Sequence, residues 1–306
     1  MTRTPSRLPF GRALIAVPAA LALTAVSACG GGTASAGEED DGTITIAVDD
    51  GQESHWQLIR DIVAAEGIDL EVQSFTDGPQ INSATQNGDV DLNLFQHVAF
   101  LAQFNVNSDG DLTPVAATAV YPLALFSTEH ETLEDLPPDA EIAIPSNPTN
   151  QARALLNLQD AGLLTLVDGG DSLSTPAEIE SGDVTITTVD TNQTVNALNG
   201  SADAAVVNNT QATRGGLGDE DIIYKDDLDS GTNDPYINVF VAKEDNADDP
   251  RFQTIVDAYH SPNVQEAVSE LNNGNLEFKQ DWTAEELREL LASEEKVAAS
   301  GEGASG

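Results

Sequence analysis

The chain has 306 residues, room for two ordinary domains or one large one, and 40% of them are apolar, enough for a substantial core. Acids outnumber bases 52 to 12, a formal charge of −40, which excludes nucleic-acid binding and a polybasic membrane patch because both need clustered Lys and Arg. One cysteine excludes a disulfide framework and a cysteine zinc site, and four scattered histidines argue against a transition-metal carrier.

Arg3, Arg7 and Arg12 precede an apolar run from Ala13 to Val26, and no acid occurs before Glu38. A basic start followed by a run of this length reads as a secretory signal over residues 1–28, too short for a stable bilayer-spanning helix. It ends in Val26-Ser27-Ala28-Cys29, which resembles a lipobox: a branched apolar residue, two small ones, then the cysteine that receives lipid such as palmitate. Residues 29–42 are small and acidic without apolar periodicity, and read as a flexible tether. Removing residues 1–28 takes away three cations and no acid, so the mature chain is more acidic still. With only four lysines in the whole chain, this balance reads as a surface adapted to high salt, where screening weakens self-repulsion.

The mature chain opens with an alternating strand at 43–48, a helix from about 54 to 65, and a second alternating strand at 68–75. A short helix near 80–87 ends at Asn87-Gly88, and a strand follows at 90–95. Alternation of strand and helix predicts an α/β layer with parallel strands. The pattern restarts after Pro137-Pro138: strand 141–145, helix 150–161, strand 184–189, helix 192–198 and strand 202–207. A strand at 236–242 and helices near 250–259, 262–271 and 283–292 complete the series. The acidic tail at 294–306 is expected to be disordered.

Two stretches echo each other. Asn87-Gly88-Asp89-Val90-Asp91 leads into Leu92, Leu94, Phe95 and Gln96; Asn199-Gly200-Ser201-Ala202-Asp203 leads into Ala204, Val206, Val207 and Asn208. Each is a helix stop, an Asp, a buried strand and a polar amide, which predicts two similar lobes. Ligands of open α/β sheets bind beyond the carboxyl ends of strands, so Gln96-His97 and Asn208-Asn209 are expected to face one cleft. No nucleophile elbow, phosphate loop, dinucleotide fingerprint or zinc-protease motif is present, and binding rather than catalysis is the expected activity, without metal or cofactor. The segment Pro145-Ser146-Asn147-Pro148-Thr149-Asn150-Gln151-Ala152-Arg153 predicts a strand end, a proline-shaped turn and a helix capped by Thr149 or Asn150. Arg153 would then sit in the first turn, where helix start and guanidinium make a carboxylate site. His97 and Phe100 share a face if a helix begins here, and with Phe95 they offer an apolar wall for a ligand side chain.

Together these segments resemble the NlpA-type methionine-binding lipoproteins, the substrate-binding components of methionine ABC importers. The matching pieces run in order: SFTD at 74–77, GDVDLNLFQHVAFL at 88–101, VYPLALFS at 120–127, IPSNPTNQARALLNL at 144–158, ADAAVVNNTQA at 202–212 and DPYINVFVAKE at 234–244. SPNVQEAV at 261–268 is similar to the family's closing helix. The resemblance implies an α/β, two-lobe periplasmic-binding-protein type II fold, each lobe a mixed sheet flanked by helices. Lobe one would span 43–125 plus 238–293, and lobe two 126–237. It implies that Phe95, His97 and Phe100 line a side-chain pocket, that Arg153 takes the ligand carboxylate, and that Asn208 and Asn238 hold the ligand's backbone groups. The chain departs from the family at three places. Gly78 and Phe100 each stand where the family carries a tyrosine, and Asp49-Asp50-Gly51 replaces a Pro-Gly-rich turn.

The expected function is therefore that of a substrate-binding protein lipidated at Cys29, on the outer face of the cell membrane. It would capture methionine between its lobes and deliver it to a permease driven by an ATPase. Another apolar amino acid or a methionine-containing dipeptide is the alternative ligand, and a surface hydrolase the alternative class.

Overall fold

The alternating segment after Gly42 forms β1 (Thr43–Val48) in the computed structural model, which describes residues 42–228 and 231–302. The signal segment, Cys29 and the tether as far as residue 41 lie outside these. α1 (His55–Ala65) follows, with Trp56, Ile59 and Val63 at helical spacing and fully buried. β2 (Asp69–Ser74) pairs parallel with β1. α2 (Gly78–Asn87) starts on the Asp77 carboxylate, which accepts from the Gln80 N–H at 3.1 Å, and stops at Gly88 in the left-handed conformation. β3 (Leu92–His97) returns parallel to β1. α3 (Val98–Ser108) and β4 (Leu112–Ala117) complete this run.

The chain then crosses through β5 (Ala119–Val120) into β6 (Ala124–Phe126). The second lobe is built from β7 (Ala140–Pro145), α4 (Pro148–Asp160), the hairpin of β8 (Leu164–Leu166) and β9 (Ile179–Gly182), β10 (Val184–Val189) and α5 (Thr194–Leu198). β11 (Ala204–Val207), α6 (Asn209–Gly215) and β12 (Ile222–Tyr224) close it. The chain returns to the first lobe with β13 (Asn238–Lys243), α7 (Pro250–Tyr259), α8 (Pro262–Leu271), β14 (Glu277–Phe278) and α9 (Ala284–Glu302).

The two five-stranded sheets share one plan. Lobe one is ordered β2-β1-β3-β13-β4 and lobe two β10-β7-β11-β6-β12. In each, three parallel strands meet a strand that runs antiparallel and comes from beyond the crossing. Each sheet is covered on both faces. In lobe one, Trp56, Phe240 and Phe252 anchor one layer, while Leu101, Val239 and Leu287 anchor the other. In lobe two the corresponding layers centre on Leu155 with Val206, and on Phe126 with Val207. A buried side chain of this size stabilises by about 1.5–3 kcal/mol relative to exposure.

The structure departs from the sequence-based expectation in two places. β6 pairs with β11 and β12, so the change of lobe falls before Ala124 rather than at 125/126. The tail expected to be disordered from 294 is helical through Glu302. Leu287 and Leu291 fix α9 against the core, and Glu295 accepts a hydrogen bond from Asn105 of α3 at 2.9 Å, so the helix is carried past the last apolar stripe. Among the described residues, no helix is long and apolar enough to cross a membrane.

Candidate functional site

The carboxyl ends of the central strands point at a cavity of about 150 Å³ between the lobes. A single water needs about 10–15 Å³ of such space, so the hollow holds an amino-acid-sized molecule. Each lobe presents to it a residue that ends a strand and caps the following helix. In lobe one this is His97: its Nδ1 accepts from the Phe100 N–H at 3.1 Å at the start of α3. In lobe two it is Asn208, whose Oδ1 accepts from the Gln211 N–H at 2.8 Å at the start of α6.

With Nδ1 committed as an acceptor, the His97 proton sits on Nε2, which faces Asn150 Oδ1 across the cleft at 3.1 Å. Burial, and then the neighbouring Arg153 guanidinium, push His97 down to about 3, so the ring is neutral at physiological pH. Phe95 and His97 both line the cavity. Side chains alternate along a strand, and Gln96, expected to face the cleft, turns instead into a buried amide network beneath α2. There it exchanges hydrogen bonds with Asn82 (Asn82 Nδ2 to Gln96 Oε1, 2.7 Å) and donates to Asn93 Oδ1 at 2.9 Å. Asn238 lies directly opposite His97 in the β3–β13 ladder and also lines the cavity.

Phe100 is not among the cavity-lining residues. One turn into α3, its ring stands edge-on to Phe95 at 5.8 Å and to His97 at 6.2 Å, and so supports the wall from behind. No hole is left beside Gly78. A Cβ there would lie 2.7 Å from Phe95 Cε2, so the Phe95 ring occupies the space beside it.

Arg153 is buried in the second turn of α4, because Asn147 is the cap and Pro148 the first helical residue. The expected first-turn placement is therefore corrected; Asn150, not Arg153, represents the helix start in the cavity lining. The guanidinium lies at the crossing. Its Nη2 donates to Asp226 Oδ2 at 2.7 Å, to the Tyr121 carbonyl at 2.9 Å and to Asn233 Oδ1 at 3.4 Å. It stacks over the Tyr236 ring at 4.2 Å. Tyr121 belongs to the outgoing crossing segment, and the other three to the returning one. Nη1 makes no hydrogen bond within the described residues, and the buried Nε has no acceptor there. Asp226 was not legible in the sequence: one aspartate among 52 acids carries no pattern. Only the requirement that a buried cation be paired could have pointed to it.

The remaining wall is polar. Asp49 and Asp50 follow β1, and both line the cavity with His55 and Tyr259. The Asp50 carboxylate accepts from Trp56 Nε1 at 2.7 Å and lies 3.5 Å from His55 Nε2. Arg214 of α6 reaches across to the Asp49 carbonyl, and Asn209 donates to Asn272. These bonds tie lobe two to lobe one around the rim. Among the described residues no cluster of His, Cys, Asp and Glu could hold a metal ion.

The sequence and fold have known counterparts. The D-methionine-binding lipoprotein MetQ of Salmonella typhi is 35% identical over 265 residues, covering 85% of this chain and 94% of that protein. The crystal structure of the substrate binding protein of a methionine transporter from Streptococcus pneumoniae matches with a TM-score of 0.72 at 36% identity, covering 78% of this chain and 95% of that one. Protein PG110 from Staphylococcus aureus matches with a TM-score of 0.78 at 30% identity, covering 82% and 99%. The NlpA lipoprotein family model spans residues 44–278, from the second residue of β1 to the end of β14, and the chain belongs to the NlpA lipoprotein family.

Proposed function

We propose that this protein is the substrate-binding component of an ABC importer for methionine, anchored by lipid on Cys29 at the outer face of the membrane, and that it hands its ligand to a permease coupled to an ATPase. The observation that carries the reading is the buried Arg153 beside an interlobe cavity, with Nη1 and Nε unclaimed, across from a neutral wall of His97 and Phe95. A guanidinium with free N–H groups in a desolvated hollow is a carboxylate receptor. A neutral imidazole and a phenyl ring accept an apolar, polarizable side chain such as a thioether. The names of the relatives support methionine as that ligand.

In this reading Phe95 and His97 contact the ligand side chain, with Phe100 as backing; Arg153 receives the carboxylate; Asn208 and Asn238 contact the backbone groups. No covalent step is involved. A ligand that bridges both lobes favours the closed arrangement by the contacts it makes only there. A thermal-shift screen of the twenty amino acids in molar salt, followed by calorimetry with L- and D-methionine, tests it. Methionine is expected to give the largest shift. No shift with any amino acid would overturn the reading, and a larger shift with another apolar amino acid or a methionine dipeptide would reassign the ligand.

A further inference from the structure

An amino acid brings an ammonium group as well as a carboxylate, and an ammonium is a donor that needs acceptors. Those at the strand ends are spoken for. Asn208 Oδ1 caps α6, so that side chain offers the cavity only N–H donors. His97 Nδ1 caps α3, and Asn150 Oδ1 faces His97 Nε2. The Asp50 carboxylate is engaged by Trp56 and His55. Arg214, the cation that comes across from lobe two, bonds the backbone oxygen of Asp49 and not its carboxylate. The Asp49 carboxylate, directly after the end of β1, thus lines the cavity without a side-chain hydrogen bond.

We propose that the Asp49 carboxylate receives the ammonium group of the bound ligand and makes this protein selective for a free α-amine. The proposal rests on the reading of the cavity as an amino-acid site. Asn238 Oδ1 stands as the second acceptor: its Nδ2 donates to the Tyr236 carbonyl at 3.5 Å, while its oxygen makes no hydrogen bond within the described residues. Arg153 and Asp49 then form a pair of opposite charges on separate walls, the complement of a zwitterion.

The electrostatics agree. Burial, and then the neighbouring Asp50, push the Asp49 carboxyl up to about 7, against the pull of Arg214. An arriving ammonium relieves that destabilisation, so binding favours the ionised form and expels a proton from the acid form. The charged and titratable groups around Asp49 are Asp50 and Glu53 on its own turn, His55 on α1, Tyr121 on the crossing, Tyr259 on α7 and Arg214 on α6. Both tyrosines are raised by burial and stay neutral, and burial holds His55 below its ordinary value.

Calorimetry on the full chain with methionine and with 4-(methylthio)butyrate, the same molecule without its amine, tests the proposal. Asp49→Asn is expected to lose about tenfold or more in methionine affinity and to leave the affinity for the amine-free acid unchanged. Wild-type affinity for methionine is expected to fall below pH 7 by up to about tenfold per pH unit, and Asp49→Asn to flatten that profile. Glu53→Gln, on the same turn, is expected to bind methionine as the wild type does. Wild-type affinity in Asp49→Asn, equal losses for both ligands, or a loss confined to Glu53→Gln would each overturn the assignment while leaving the amino-acid reading intact. A wild-type protein that binds neither ligand would overturn the amino-acid reading itself, and the assignment with it. Circular dichroism and melting of Asp49→Asn show that the variant is folded.

Discussion

The two lobes solve one problem with the same parts and different chemistry. In lobe one, Asp91 precedes β3 and its Oδ2 accepts from the N–H and the hydroxyl of Thr45 on the neighbouring parallel strand, at 2.8 and 2.7 Å. In lobe two, Asp203 precedes β11 and accepts from the Glu141 N–H of β7 at 2.7 Å. Each central strand is thus tied to its neighbour by a carboxylate at one end, and at the other delivers a helix cap into the cavity. Lobe one carries one more residue between the Asp and the cap, so His97, not Gln96, is the counterpart of Asn208. The imidazole is neutral in its burial, whereas the amide keeps two N–H donors after capping; under the proposed function the first suits the apolar half of the ligand and the second the polar half. Arg153, from lobe two, joins both crossing segments and belongs to the hinge as much as to either lobe.

Breaking the hinge carries the largest expected effect. Arg153→Ala leaves the Asp226 carboxylate buried without its cation and is expected to lower stability by about 3–5 kcal/mol in urea titration. It also weakens ligand binding by about 2–5 kcal/mol in calorimetry. Arg153→Ala combined with Asp226→Ala is expected to recover most of the stability and none of the affinity, which separates the two roles. The strand ties come next. Asp91→Ala is expected to cost about 3 kcal/mol and Asp203→Ala about 1.5 kcal/mol, because a charge-assisted hydrogen bond is worth about 1.5–3 kcal/mol and only Asp91 accepts from both backbone and hydroxyl of its neighbour. Equal costs would show that the two ties are energetically alike.

Two groups of lobe one respond to pH in opposite senses. The folded value of His97 is about 3 against 6.5 for an ordinary histidine, so between these limits the unfolded chain binds the proton. Stability from this group therefore falls as the pH drops from 6.5 towards 3, by up to about 1.4 kcal/mol per unit. Asp49 has the opposite sign: raised from 3.8 to about 7, it is protonated in the folded chain first and stabilises as the pH falls through that window. The two offset each other in the wild type. His97→Asn removes one side and is expected to gain stability relative to the wild type on acidification from pH 6.5 to pH 4, measured by denaturant midpoints. At the small end, Asn208→Ala is expected to cost about 1 kcal/mol through the lost cap, and Asn208→Asp to recover it. Smaller still per residue, and alike in both lobes, is screening of the acidic surface: the melting temperature is expected to rise from low to molar NaCl.

Most strands of both sheets were legible because alternation and parallel-strand hydrophobicity are local signals: β1, β2, β3, β7, β10, β11 and β13 form where the pattern places them. α3 gives no clear helical signal, because VAFLAQFNVNS has too many apolar residues to show a stripe. β4 carries a proline, and β6 and β12 are three residues each, too short for alternation to register. At the site, Arg153, His97, Phe95, Asn208 and Asn238 could be named from strand ends, a helix start and resemblance. The Arg153–Asp226 pair and the presence of Asp49 in the cavity lining could not, since both depend on what lies nearby in space.

Because the residues that close the strands also start the helices, the vocabulary available for altering selectivity is narrow. At position 208 a replacement must still offer a side-chain acceptor to the Gln211 N–H, which restricts the choice to Asn, Asp, Ser and Thr. At position 97 it must do the same for Phe100 while remaining uncharged. Directed evolution of this receptor towards new cargo is thus channelled away from the strand tips and towards Phe95 and Asp49, whose side chains line the cavity without capping a helix.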